Sequence, residues 1–391
     1  MSLFYEINPD NLDKHADKNK KFRFLEKILY LPNILKNIIN NPLNKNQKVK
    51  SILRFILFQI EFRIFKKKFK KFKWIDETYL EVNLGDSSLI SNYYCGLSEF
   101  ESMGFIMHSL QKDYLFIDVG ANLGSHSILA SSVVGSETIA FEPNKDSIKK
   151  INKQAQINKV ESKITIKNLA IGDKKGKVYF TNNRDALNRV ALKNKDLNVE
   201  EIDISTLDLE VNTNKKMVLK IDVEGFEMKV LKGSSQLLNS DKLLAIIIEI
   251  NGFNRNYDVL EKDIHNLILS YNFVPYYYNP LNRLLEKKLN FNIYNEKGDF
   301  IYIKNINQIA YNCKNSKERI FHINKNLMIS DDSSVSIQTD GLFGKKFLLI
   351  EVGGNETFLK NGGKFSFSED SIVLEELLGK IILIGEKNKG L

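Results

Sequence analysis

The residues best suited to chemistry begin with FIDVGANLGSHS, at 116–127 of a 391-residue chain. Asp118 leaves a carboxylate beside a turn, and Gly120 and Gly124 let backbone approach a ligand with no Cβ in the way. A helix starting just beyond would aim free N–H groups and the positive end of its dipole at the same spot. The spacing is G-x-N-x-G and not the dinucleotide G-x-G-x-x-G. A carboxylate at this turn suits a cofactor with an ammonium group better than one with a pyrophosphate. Glu142 follows Gly120 by 22 residues, where an acidic side chain takes both hydroxyls of a ribose in a nucleoside-binding sheet. Asn168, Asp222 and Glu249 also fall at or near strand ends. Any one of these residues could be a cap or turn residue; the set points to a nucleoside cofactor.

The elements that must position them alternate strand and helix. YLFIDVG (114–120), TIAFEP (138–143), KITIKNLAIGD (163–173, with its exit loop), MVLKIDVEG (217–225) and LLAIIIEI (243–250) read as buried strands. Helices are expected at 124–134, 146–158, 226–238 and about 257–271. KVYFT (177–181) adds a hairpin-like strand, and FVPYYY (273–278) and FIYIKN (300–305) close the sheet. Apolar strands separated by helices predict an α/β, doubly wound, largely parallel sheet with ligands beyond its carboxyl edge.

Five spaced motifs now resemble a known family: DVGANLGSHS, AFEPN (140–144), NLAIGDKKG (168–176), LKIDVEGFEMKVLKGS (219–234) and IIIEI (246–250). They are similar, in order, to the FkbM family of S-adenosylmethionine-dependent methyltransferases, over about 90–310. YYCGLSEFESMGFIMHSL (93–110) and FTNNRDALNRVAL (180–192) resemble the lead-in and a loop of a glycan-modifying branch. The resemblance implies a class I methyltransferase, Rossmann-like sheet of seven strands with the last hairpin reversed. It implies that Asp118, Gly120, Ala121, Asn122 and Gly124 hold the methionine end, Glu142 the ribose, and Asn168 and Ala170 the adenine. Asp222 and Glu224 would face the transferring methyl and the acceptor, a sugar or glycan hydroxyl. The base candidates are Asp222 first, then Glu224 and Glu249, with His126 open between a local base and a helix residue turned away. His126 and Ser127 stand where family members more often carry an aromatic residue and Thr. No His-rich spacing predicts a metal. Arg184, Asn188 and Arg189, in a polar loop, are candidates for gripping an acidic or hydroxyl-rich acceptor.

Composition places these motifs. The net charge of +9 is concentrated in residues 1–75, which hold 18 Lys and Arg against 6 Asp and Glu. That basicity suggests an anionic neighbour, and no nucleic-acid partner is expected. Residues 20–40 read as a helix interrupted at Pro32, and 48–73 as a longer one. In the latter Phe55, Phe58, Phe62, Phe65, Phe69 and Phe72 would share one face, docked on the domain or lying on anionic membrane. Residues 74–96 look like short strands, and Ser98 with Glu101 would form a capping box for a helix to about Leu110. Two cysteines and the absence of a secretory signal predict a reducing, cytoplasmic setting. DSSVSIQTDGLFGKKFLLIEVGG (332–354), LKNGG (359–363) and DSIVLEELLGK (370–380) resemble the C-terminal half of an MCE domain of lipid-transport proteins. The expected units are therefore 1–75, 76–320 and 326–391. The competing readings are a nicotinamide enzyme and a non-enzymatic membrane-associated module; oligomeric state is not legible.

Overall fold

Runs such as MVLKI and LLAIIIEI are too apolar to face water on either side, and both are buried along their whole length. The structure, a computed structural model, describes residues 32–45, 47–181, 189–191, 199–288, 297–315, 329–339, 346–360 and 367–369. The chain divides into two compact units, residues 1–317 and 318–391. The strands of the first are β1 (Lys70–Lys73), β2 (Tyr79–Val82), β3 (Leu115–Val119), β4 (Glu137–Phe141), β5 (Ile164–Lys167) and β6 (Ala170–Ile171). They continue as β7 (Gly176–Thr181), β8 (Val199–Ser205), β9 (Met217–Ile221), β10 (Leu243–Ile250), β11 (Val274–Asn279), β12 (Leu284–Lys287) and β13 (Gly298–Ile303).

One sheet has the order β12-β11-β13-β10-β9-β3-β4-β5. From β5 to β10 its strands are parallel, and β13 lies antiparallel between β10 and β11. The expected seven-stranded order is present, and β12 adds an unforeseen eighth strand at the edge. Alternation sends Leu115, Ile117, Leu219 and Ile246 into one core and Phe116, Val218, Ala245 and Ile247 into another. The segment 163–173 divides: β5 stays in this sheet, whereas β6 pairs with β8 in a second sheet, β6-β8-β7.

The helices preceding and flanking the motifs are α1 (Lys48–Arg63), α2 (Ser87–Cys95), α3 (Phe100–Ser109), α4 (Ser125–Ile128, prolonged as a π-helix over Leu129–Val134) and α5 (Lys145–Asn158). Residues 32–40 are also helical, and the earlier part of the expected 20–40 helix lies outside the described residues. Helix α1 ends ten residues before the Phe recurrence predicts. Lys66 turns the chain at φ +50°, and Lys70–Lys73 becomes β1, paired with β2. Backbone pairing overrides the ring periodicity there. Phe55, Phe58 and Phe62 are buried, Phe55 against Tyr94 and Phe58 against Tyr93 and Tyr94, while Phe65 and Phe69 are exposed. Within 74–96 only Tyr79–Val82 is a strand, and Ser87–Cys95 is helical. The Ser98 capping box does not form: Glu99 is the N-cap residue of α3, and the Ser98 N–H donates to Asn92 Oδ1 at 2.9 Å. The expected 226–238 helix breaks at Gly233, where an added Cβ would lie 1.9 Å from the Gly172 carbonyl oxygen. The helix after β10 begins at Glu261, behind a 3-10 turn over Phe253–Tyr257.

Phe58 is fully buried and stacked on Phe62 at 4.3 Å. Phe58→Ala is expected to destabilise the first unit by about 3–5 kcal/mol, because the rigid aromatic neighbours cannot collapse into the void. Denaturant unfolding of the full chain, followed by near-UV circular dichroism, measures this.

In the second unit β14 (Ser334–Thr339) pairs antiparallel with β15 (Lys346–Glu351), and β16 (Phe367–Glu369) is parallel to β14. The terminal stretch 370–391 lies outside the described residues.

Candidate functional site

Three loops leave the carboxyl ends of β3, β9 and β10 and meet backbone to backbone. Gly120 has φ +84°, and a Cβ there would lie 1.8 Å from the carbonyl oxygen of Asp222. At Gly225, φ +105°, an added Cβ would lie 2.6 Å from the carbonyl carbon and oxygen of Phe253. Asn122 and Glu224 also take positive φ, of 49° and 53°, and for Glu224 this is an uncommon, costly conformation.

The loops after β3 and β9, with the residues that follow β4, wall an open cleft. Gly120, Asn122, Glu142, Ala170, Asp222 and Glu224 line it, and Leu169, Ile171, Phe180, Val190 and Phe226 add apolar lining. Phe180 comes from β7, so the small sheet supplies part of the slot. Glu142 is buried, with one oxygen accepting the Asn122 N–H and the other the Asn144 N–H, both at 2.8 Å. Each oxygen retains acceptor capacity for a ligand. Burial, against those two N–H donors, pushes its carboxyl up to about 7.

Other candidates stand behind the wall. Asp118 is buried, accepts from Ser127 Oγ at 2.6 Å through Oδ2, and has no hydrogen-bond partner at Oδ1. Ala121 packs in the core, and Gly124 is the left-handed N-cap of α4 against Ile151. Asn168 donates its amide to the carbonyls of Glu142 and Pro143, so it shapes the loop after β4 and does not line the cleft. His126 is not among the residues that line the cleft, and its Nε2 lies 3.0 Å from Glu99 Oε2.

Two of the cleft residues belong to an acidic trio: carboxylate oxygens of Asp222, Glu224 and Glu249 lie within 4.8 Å of one another. Asn251 Nδ2 bridges Glu224 and Glu249 at 3.0 and 3.2 Å. Burial first, then the Asp222 carboxylate, holds both Glu224 and Glu249 well above the ordinary carboxylate range. Such a trio can share a proton, and it can also hold a divalent cation. Arg189 is buried close enough to Glu224 to oppose that rise. Arg184 and Asn188 lie outside the described residues.

Beneath the trio runs a charged row that sequence reasoning misses. Asp118 pairs in register with Lys220, and Glu249 with Asp299. Lys220 is buried, and its Nζ donates to Asp222 Oδ2 at 2.8 Å. Burial works against its charge, but Asp222, Glu99, Asp299 and Asp118 outweigh that and hold its pKa well above the ordinary lysine value. One signal was available: a lysine inside the otherwise apolar strand MVLKI must be buried and therefore paired. Its partners come from cross-strand register and from Glu99 at the start of α3, which no local pattern reveals.

A doubly wound sheet with this strand order and a cleft at its carboxyl edge is the class I, Rossmann-like methyltransferase architecture. Residues 118–275 match the methyltransferase FkbM domain. Over 156 residues it is 25% identical to the hexuronic acid methyltransferase AglP of Haloferax volcanii, covering 39% of this chain and 62% of that protein. Over 65 residues it is 34% identical to the intermembrane phospholipid transport system binding protein MlaD of Haemophilus influenzae, covering 16% of this chain and 39% of that protein. The chain thus spans less than two thirds of either curated relative. Among solved structures, a precorrin-6y C5,15-methyltransferase from Geobacter metallireducens matches 53% of this chain and 90% of its own, at 12% identity and a TM-score of 0.30. TrmK of M. capricolum, in complex with S-adenosylhomocysteine, matches 52% and 68%, at 11% identity and a TM-score of 0.29.

Proposed function

We propose that the protein is an S-adenosylmethionine-dependent O-methyltransferase whose acceptor is a sugar hydroxyl of a surface polysaccharide or glycolipid precursor. The observation that carries this reading is Glu142, a buried carboxylate at the cleft with acceptor capacity to spare beside an apolar slot. Ribose hydroxyls would complete it, and Leu169, Ala170, Ile171, Phe180 and Phe226 would enclose the adenine. S-adenosylmethionine, when bound, supplies a methyl group on a positively charged sulfur. The chain's own part is alignment and proton removal. Asp222 is engaged by Lys220, so Glu224 and Glu249 are the better proton acceptors for a hydroxyl brought to the trio. Arg189, beside Glu224, suits an acidic sugar, in keeping with a relative named for hexuronic acid.

Isothermal titration with S-adenosylmethionine tests the reading. Protonated Glu142 can no longer accept from both ribose hydroxyls, so affinity rises as pH rises through about 7. Between pH 6 and pH 8 the gain should be roughly tenfold, and Glu142→Gln should bind weakly with a flat profile. No binding by the wild-type chain, or the same pH profile in both proteins, would remove the assignment.

A further inference from the structure

Helix α1 is apolar on two opposite sides. Phe55, Phe58 and Phe62 are spent on the core. Val49, Leu53, Ile56, Leu57 and Ile64 point the other way and are exposed, Val49 at 73% and Ile64 at 68%. At 3.6 residues per turn these five cover a stripe about 100° wide, diametrically opposite the buried rings. The turn that follows continues it with Phe65, 75% exposed, and Phe69. A helix facing water has no use for such a row.

Its surroundings are basic. Lys48, Lys50, Arg63, Lys66, Lys67, Lys68, Lys71 and Lys73 are all exposed. Glu61 is the one acid between residues 48 and 73, and it is already engaged by Lys67 and Lys70. We propose that this face, the aliphatic stripe of α1 with the Ile64–Phe69 turn, docks on an anionic lipid surface. A second copy fits poorly, because a two-fold contact would bring two strongly basic segments together. Nucleic acid would match the lysines and leave seven apolar side chains without a role. An anionic bilayer matches both, with aliphatic and phenyl groups entering the headgroup boundary and lysines remaining at the phosphates. The contact is made by the side opposite the Phe55–Phe62 stripe, so it needs no undocking of the helix. The inference is independent of the methyl-transfer reading.

The full chain is tested by flotation with vesicles of phosphatidylcholine containing one quarter phosphatidylglycerol, against pure phosphatidylcholine. Binding is expected on the anionic vesicles only and should weaken with added salt. Leu53→Glu with Leu57→Glu, and separately Phe65→Ser with Phe69→Ser, should each cut partitioning by roughly tenfold or more. All four residues are exposed, so melting temperature should be unchanged. Equal binding to neutral vesicles, no binding to either, or unaltered partitioning of both variants overturns the proposal. So does a lipid-free dimer, seen by light scattering, that the Leu53→Glu, Leu57→Glu pair dissociates.

Discussion

Gly120→Ala is expected to weaken S-adenosylmethionine binding by roughly a hundredfold, about 3 kcal/mol, and to lower the melting temperature as well. The smallest side chain already fails, because its Cβ would overlap the backbone carbonyl of Asp222 at 1.8 Å. Nothing there is a flexible side-chain tip that could swing aside. The Asp222 N–H is itself bonded to the Val119 carbonyl at 2.9 Å, so the loop after β9 cannot retreat without breaking its own anchor. The positive φ adds strain for any L-residue. Gly176→Ala is the control, since nothing lies within 4 Å of its added Cβ. Titration calorimetry on both variants measures the contrast. Wild-type affinity in Gly120→Ala would mean that the nucleoside binds somewhere else.

Replacing Glu224 and Glu249 together by Gln should remove turnover and stabilise the fold. As the proposed proton acceptors, the pair should be worth roughly 10²- to 10⁴-fold in rate. In the folded protein both carboxyls are held above their ordinary pKa by burial and by neighbouring acids. A carboxyl raised on folding costs stability once the unfolded chain has released its proton. The variant should therefore match wild type near pH 4 and melt higher as pH rises, by a few degrees at pH 8, where about 1 kcal/mol corresponds to roughly 2–4 °C. Thermal melts at both pH values, with methyl transfer from radiolabelled cofactor, provide the two readouts. The measurement also separates the two uses of the trio. A shared proton predicts activity that survives chelation. A divalent cation predicts loss on chelation and a wild type stabilised by the added ion.

The sheet was legible because each of its main strands is an apolar run closed by a turn, and Glu142 because its distance from Gly120 fixes it at the next strand end. Helix α1 was overextended because Phe65, Phe69 and Phe72 keep the rhythm of the earlier rings. A pairing between Lys70–Lys73 and Tyr79–Val82 is invisible to a window that looks for helical spacing. Asn168 shows the limit of resemblance, since its amide is taken up by two backbone carbonyls of a neighbouring loop. The Asp118–Lys220 and Glu249–Asp299 pairings were hidden for a deeper reason. They depend on the register of strands more than 40 residues apart in sequence, which only the assembled sheet defines.

Because Asp222 packs its carbonyl on Gly120 and joins the acid trio through its carboxylate, the glycine turn and the trio share one residue. If the proposed function holds, the loop after β9 is the poorest place to alter acceptor choice. A shift there that enlarged the proposed acceptor site would also disturb the proposed cofactor site.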